Sequence, residues 1–231
     1  ASNEAQREPR FAELRRHGCP EDVIARLAAL RGTRSLRWAP CPAAAMDTVA
    51  SEREIALAGS ETLRVIPAPG HTPGNLVAFV PERGDLYSGD TILPTTIPTA
   101  GLHFPAAVNA ALAVDAARWP SLPPFLRSVA ALRALPVRRV LPGHGDVVTD
   151  PDTLFERFAV HHARRARRVR DALASGPTTA YAIARGIFPR LPAERIGQAV
   201  TEVLGHLDVL AEQGEAAADA DAGGMVEWRL V

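Results

Sequence analysis

A chain of 231 residues that is 47% hydrophobic and 23% charged has the composition of an ordinary soluble globular protein. Its 26 basic residues, all of them arginine, balance 26 acidic residues, which excludes a strong overall attraction to nucleic acid or to a membrane surface. No run approaches the roughly 18 apolar residues that a membrane span needs. The two cysteines have no C-x-x-C spacing. We therefore expect a cytoplasmic protein with neither a disulfide framework nor a cysteine zinc site.

The first part of the chain predicts two short helices over residues 11–30, because apolar positions recur at helical spacing and Gly18-Cys19-Pro20 interrupts them. No methionine precedes Ala1 and no strand pattern precedes the first helix. We therefore expect the chain to begin inside a larger protein. Residues 31–60 predict a loop followed by a short extended segment.

A pair of strands is predicted next, over residues 62–67 and 76–80. The second is apolar at every position, which is typical of a strand covered on both faces and implies helices outside the sheet. Residues 81–85 have the composition of a tight turn, so we expect residues 76–80 to pair with a further strand over 86–88.

Three motifs place a metal-capable side chain in a turn directly after an apolar run. They are G-H-T-P-G at residues 70–74, S-G-D at 88–90, and P-G-H-G at 142–145, which follows a predicted helix over 126–135 and strand over 137–141. Imidazole nitrogen and carboxylate oxygen are donors that Zn²⁺ accepts, and the neighbouring glycine and proline residues favour sharp turns. Because strand ends gather loops at one rim of a sheet, we expect His71, Asp90 and His144 to converge.

The last part of the chain, from residue 152, predicts three helices and a terminal hairpin. An apolar stripe that includes His162 defines the first helix, a short helix spans 179–187, and the third begins at Pro192 and ends at Gly214. Alternating apolar residues from Val226 to Leu230 indicate the closing strand. This order of elements is the outline of a winged helix.

The order of the three motifs resembles the C-terminal half of the metallo-β-lactamase superfamily, and residues 152–231 resemble the winged-helix extension of one branch that includes RNA-cutting members. The resemblance implies an α/β fold: the C-terminal portion of an αββα sandwich, within a catalytic domain over 1–150, followed by a small winged-helix domain over 151–231. It also implies a dinuclear zinc site in which His71 ligates the first metal, Asp90 bridges both and His144 ligates the second.

The function that this resemblance implies is that of a zinc-dependent hydrolase, which uses a metal-bound hydroxide on a small-molecule ester, thioester, lactone or β-lactam. The superfamily's H-x-H-x-D-H motif is absent from this sequence, so each metal lacks two ligands. We interpret this as truncation rather than degeneration. The chain by itself is then expected to bind zinc weakly, to show no turnover, and to associate with itself through a bared apolar sheet face.

An alternative hypothesis is an endoribonuclease or a nucleic-acid-binding protein of the same branch. Arginines crowd one stretch of the predicted first tail helix, and such a patch is suited to binding phosphates. The candidates are Arg164, Arg165, Arg167 and Arg168. A solvated helix face explains the same arginines without any ligand, and acidic residues in the hairpin, such as Asp219, would repel a phosphate backbone.

Overall fold

The fold is taken from a computed structural model that describes residues 6–30, 41–104 and 118–231. Its regular elements, in chain order, are α1 (Arg7–Arg16), α2 (Glu21–Leu30), β1 (Arg53–Ala56), β2 (Thr62–Pro67), β3 (Leu76–Val80), β4 (Asp85–Gly89), α3 (Leu122–Arg133), β5 (Arg139–Pro142), α4 (Pro151–Leu173), α5 (Ala180–Ile187), α6 (Ile196–Glu212), β6 (Ala216–Ala220) and β7 (Val226–Leu230). Within the described ranges, no helix is both long enough and apolar enough to cross a membrane.

Two compact units divide these elements. The sheet unit consists of residues 46–101 and 121–164, and the helical unit takes its described residues from 6–45, 102–120 and 165–231. The units interleave along the chain, because α1 and α2 group with the C-terminal helices and α4 contributes residues to both. The division into domains over residues 1–150 and 151–231, which was inferred from the order of elements in the sequence, stays a prediction.

The sheet unit is built on five strands in the order β1-β2-β3-β4-β5. The first three pairings are antiparallel, and β4 pairs with β5 in parallel after the crossover through α3. The predicted pairing of β3 with β4 is confirmed, with Phe79 opposite Leu86. The helix and strand expected before His144 are also present as α3 and β5, with bounds shifted by a few residues.

The two faces of this sheet differ. Phe79, Leu86 and Val140 share one face and are fully buried. On the opposite face Leu76 is 43% exposed and Tyr87 is 37% exposed. The expectation that every position of β3 is covered is therefore wrong at Leu76, because the cover on that face reaches Val80, which is fully buried, and does not extend to the start of the strand.

The helical unit has a continuous apolar core. Buried side chains of α1 and α2 pack in one cluster with those of α5 and α6, the end of α4 and the hairpin β6–β7. The hairpin turn is closed by the Asp221 carboxylate, which accepts hydrogen bonds from the backbone N–H groups of Gly223 and Met225. Thr179 caps α5 by accepting from the Ala182 N–H. The predicted three helices and hairpin are therefore present.

Candidate metal centre

His71 lies in the loop that joins β2 to β3. The loop is closed at its base by a hydrogen bond from the Ala68 N–H to the Asn75 carbonyl, 2.9 Å. Gly70 lies directly against Phe125 of α3, so that a Cβ at this position would overlap the Phe125 side chain. The backbone just ahead of His71 is thereby held against a helix of the same unit.

The His71 ring is oriented by a backbone group. Its Nδ1 lies 2.9 Å from the carbonyl oxygen of Thr99. Because a carbonyl only accepts, Nδ1 carries the proton in this contact. In the neutral ring the lone pair then lies on Nε2, the nitrogen that faces Asp90, and this is the orientation that a metal-binding imidazole needs.

Asp90 follows the end of β4 in a tight turn. The Thr91 N–H donates to the Ser88 carbonyl at 2.9 Å, and the buried Ser88 hydroxyl donates to the Ile92 carbonyl at 2.8 Å. These polar groups are thus hydrogen-bonded within the turn. The Asp90 carboxylate is left half-exposed, with its two oxygens available to other side chains.

His144 follows β5, the neighbouring strand in the sheet. The Gly143 N–H donates to the Gly89 carbonyl at 2.8 Å, which extends the β4–β5 contact to the residue beside His144. A Cβ at Gly143 would lie 2.7 Å from Oδ1 of Asp90, so the absence of a side chain there lets the two loops approach. The His144 side chain itself is 77% exposed.

The three predicted residues come together at one edge of the sheet. His71 Nε2 lies 3.8 Å from Asp90 Oδ2, and His144 Nε2 lies 3.4 Å from Asp90 Oδ1. Each imidazole therefore faces a different oxygen of the same carboxylate. These are two close pairs that share Asp90: the described residues contain no group of three or more His, Cys, Asp or Glu side chains arranged to hold a metal ion.

Sequence reasoning missed the polar residues that surround this site. Neither the Thr99 carbonyl nor the side chains of Asn75 and Thr91 carry a recognisable metal motif, and yet they contact His71 or link the loops that carry His71 and Asp90. The one available signal was the position of Asn75, a polar residue directly before the apolar strand β3.

The arginines proposed for nucleic-acid binding are partly occupied within the helical unit. Arg165 pairs with Glu202 at 2.6 Å and stacks over the Phe188 ring, and Arg168 donates to the Ile187 carbonyl at 2.8 Å. Arg164 and Arg167 are exposed. Intramolecular contacts thus account for two of the four candidates, which leaves a smaller basic surface than the sequence indicates.

The predicted position of His162 in a core is confirmed. Its side chain is buried in α4, and its ring lies 4.4 Å from the Phe158 ring, centroid to centroid. His161 is half-buried rather than exposed, and its ring packs edge-on against that of His162. Neither histidine belongs to the candidate metal centre.

Comparison with known proteins decides the family. The profile of the Metallo-beta-lactamase superfamily matches residues 10–144, more than half of the chain. The chain belongs to the metallo-beta-lactamase superfamily. Superfamily membership implies metal ions, often zinc, and the match ends on His144, so all three candidate ligands lie within it.

Relatives in the superfamily are longer than this chain. The probable metallo-hydrolase YqjP of Bacillus subtilis is 30% identical over 152 residues, which are 66% of this chain and 46% of that protein. A beta-lactamase-like protein 2 homolog of Drosophila melanogaster is 23% identical over 173 residues, 52% of its length. The chain thus spans about half the length of these curated relatives.

Solved structures share the fold. A metallo-beta-lactamase family protein from Thermus thermophilus aligns with 97% of this chain and 64% of its own, at 27% identity and a TM-score of 0.68. A beta-lactamase domain protein from Burkholderia ambifaria aligns with 79% of this chain at 24% identity and a TM-score of 0.66, which is evidence of the fold alone.

Proposed function

We propose that this chain carries part of the active site of a zinc-dependent hydrolase, with His71, Asp90 and His144 as metal ligands. The observation that supports this proposal is the shared carboxylate: two imidazole nitrogens approach opposite oxygens of Asp90, at 3.8 and 3.4 Å. Two histidines that served only to stabilise the loops would not need to approach the same exposed carboxylate.

The donor chemistry fits zinc, and the number of donors does not complete a site. Imidazole nitrogen and carboxylate oxygen are common zinc ligands, and the Thr99 carbonyl holds the His71 ring in the required tautomer. A zinc ion normally takes three or four protein ligands, and each pair found here supplies two. A complete site therefore needs donors beyond these three residues, which is consistent with the absent H-x-H-x-D-H motif.

The proposed roles follow from charge and position. Bound cations lower the pKa of a water molecule and neutralise negative charge that develops on a substrate oxygen. His71 and His144 hold position as neutral donors, while Asp90 adds a full negative charge between them. Because the site is open at the rim of the sheet, a small carbonyl substrate can approach it; we propose an ester, thioester, lactone or β-lactam.

Zinc binding by this chain tests the ligand assignment. We expect weak binding by competition with a chromophoric chelator, and weaker binding still in the variants His71→Ala and His144→Ala. His161→Ala is the matched control, since its ring lies in α4 outside the site. Equal zinc affinity in the parent and the three variants would overturn the assignment of the ligands. Tight zinc binding with turnover by this chain would contradict the conclusion that its donor set is incomplete.

Hydrolysis is tested on the product of the complete gene, with a chromogenic ester, thioester, lactone and β-lactam as substrates. We expect turnover of at least one of them, loss of that turnover with a chelator, and its recovery with added zinc. A zinc-loaded protein that hydrolyses none of them would exclude this substrate range.

We also propose that residues 151–231 form a winged helix, on the basis of three helices followed by the β6–β7 hairpin. Nucleic-acid binding by this region is less favoured, because Arg165 and Arg168 have partners within the chain and the remaining basic surface is smaller than the sequence indicates. We expect weak, salt-insensitive retention on RNA and DNA columns; retention that falls steeply with salt would revive the endoribonuclease alternative.

A further inference from the structure

A hydrogen-bonded bridge joins the loop that carries His71 to the loop that carries Asp90. The Asn75 side-chain amide donates from Nδ2 to Thr91 Oγ1 at 2.7 Å, and its Oδ1 accepts from the Thr72 hydroxyl at 3.2 Å. Thr72 directly follows His71, and Thr91 directly follows Asp90. One side chain therefore connects the immediate neighbours of two proposed ligands, and none of the three bridge residues is itself a proposed ligand.

Both ends of the bridge are held by the backbone. The Asn75 carbonyl accepts from the Ala68 N–H at 2.9 Å, and the Asn75 N–H donates to the Thr72 carbonyl at 3.3 Å, so Asn75 closes the His71 loop at its base. On the other side Thr91 is fully buried in the turn after β4. The bridge thus joins two anchored points.

We propose that Asn75 is a positioning residue that sets the separation of the His71 ring and the Asp90 carboxylate. The inference rests on the proposed function of this site. Two loops with no direct bond between them can drift independently, whereas a hydrogen bond between the residues that follow each ligand fixes their relative displacement. Residues that orient metal ligands typically change metal affinity about 10- to 100-fold when they are replaced.

The test removes the bridge from each side without changing the charge. Asn75→Leu keeps the same branching at the γ-carbon and loses both side-chain hydrogen bonds, while Thr91→Val retains the shape of threonine and loses the acceptor for Asn75. We expect both to weaken zinc binding by this chain about 10- to 100-fold. The visible absorption of cobalt bound at the site should weaken in parallel, because the ligands are no longer held in one fixed arrangement. Thr91→Ser keeps the hydroxyl and should retain most of the affinity.

A control separates positioning from lost stability. Thr153→Val removes a hydroxyl bond of the same length, 2.7 Å to Asp150, at the start of α4 and away from the site. We expect it to lower the thermal midpoint without changing zinc affinity. In metal-free protein, the imidazole NMR signals of His71 should shift in Asn75→Leu and stay unchanged in Thr153→Val.

The outcomes distinguish this inference from the proposed function. If Asp90→Asn weakens zinc binding but Asn75→Leu and Thr91→Val do not, the site stands and the positioning role is overturned. If Asp90→Asn has no effect, the metal site itself is overturned, and the positioning role with it. Equal loss in Thr91→Ser and Thr91→Val would show that the hydroxyl bond is not what matters.

Discussion

The cluster around Glu13 in the helical unit and the cluster around Asp90 in the sheet unit bring acidic and basic side chains together in opposite ways. In the helical unit, Arg118 forms two hydrogen bonds to Asp208, at 2.5 and 2.6 Å, and a third to Glu13 at 3.1 Å. His17 approaches the same Glu13 oxygen at 3.2 Å. All of these side chains are nearly buried, and each carboxylate is paired with a cation at hydrogen-bond distance.

The sheet unit leaves its polar cluster open. His71 and His144 face Asp90 at 3.8 and 3.4 Å, farther than any of the contacts in the Glu13 cluster, and the carboxylate is half-exposed. A cluster whose members form short hydrogen bonds to one another stabilises a fold. Polar side chains that lie near one carboxylate without such short bonds are suited to binding an external group, such as a metal ion. The same contrast holds for the apolar surfaces, since the helical unit covers its core and the sheet unit leaves one sheet face partly bare.

We expect the largest effect from Arg118→Ala in the closed cluster, which consists of Glu13, His17, Arg118 and Asp208. Burial by itself raises the pKa of Glu13, but the hydrogen bond from His17 and the positive charges of His17 and Arg118 outweigh it, so the pKa of Glu13 is lowered. Removing Arg118 leaves Asp208 without its cation, and we expect a loss of about 3–5 kcal/mol in the free energy of unfolding, measured by urea denaturation.

Arg15→Ala serves as the control for Arg118→Ala. Arg15 bonds Glu21 at 2.8 Å, but both side chains are largely exposed, so we expect no comparable loss. Equal effects of the two substitutions would show that burial does not distinguish these ion pairs, and the contrast between the closed and open clusters would lose its energetic basis.

The matching substitution in the open cluster, which consists of His71, Asp90 and His144, is Asp90→Asn. Because the carboxylate is half-exposed and its contacts with His71 and His144 are long, at 3.8 and 3.4 Å, we expect the free energy of unfolding to stay within about 0.5 kcal/mol of the parent value. Zinc affinity, as measured by chelator competition, should fall further than in Asn75→Leu, because the shared anionic donor itself is lost. A large loss of stability in metal-free protein would mean that Asp90 is a structural residue.

The exposed sheet face predicts self-association. Leu76→Lys places a charge on a side chain that is 43% exposed on the half-bare face, and we expect it to reduce concentration-dependent association in sedimentation velocity. Met225→Lys is the control, because Met225 is 44% exposed but lies on the hairpin of the helical unit. If the unmodified chain is monomeric at high concentration, the sheet face is not an association surface.

The smallest expected effect concerns Asp85, at the start of β4. The guanidinium of Arg139 donates two hydrogen bonds to this carboxylate, at 2.7 and 2.8 Å, and lowers the pKa of Asp85 below its ordinary value of 3.8. A lowered folded-state pKa contributes stability that is present above the unfolded-state pKa and is lost as pH falls through the folded-state value. Arg139 is half-exposed, so the contribution is small.

Thermal unfolding of the parent and of Asp85→Asn should therefore differ at neutral pH, with the parent more stable. We expect the two midpoints to converge as the pH falls below 3.8 and on through the lowered folded-state pKa of Asp85, because the parent carboxylate then becomes protonated in both states. A difference that stays constant over that range would mean that the ion pair with Arg139 does not contribute.

Local patterns in the sequence predicted most of the elements and the candidate ligands. The interruption at Gly18-Cys19-Pro20 separates α1 from α2 as expected, and the turn composition of residues 81–85 correctly joined β3 to β4. Such features depend on residues that are close in the chain. The three ligand candidates were found in the same way, because each lies in a turn next to a short apolar run.

Contacts between distant residues were not predictable in this way. Arg118 meets Glu13 across 105 positions and Asp208 across 90, and His17, which shares Glu13 with it, has no sequence motif. The exposure of Leu76 was equally unpredictable from the sequence, because an apolar strand has the same residue pattern whether other elements cover one of its faces or both.

The amino-acid sequence alone indicated the periodic elements, the glycine-rich turns and the three candidate donor side chains, because each depends on the chemistry of a few consecutive residues. Only the tertiary structure decided the distances at which the two imidazoles face Asp90, that Asn75 links the loops of His71 and Asp90, and that Arg165 and Arg168 are occupied by partners in their own unit. Those outcomes depend on which surfaces pack together, and packing brings together residues that no local pattern relates.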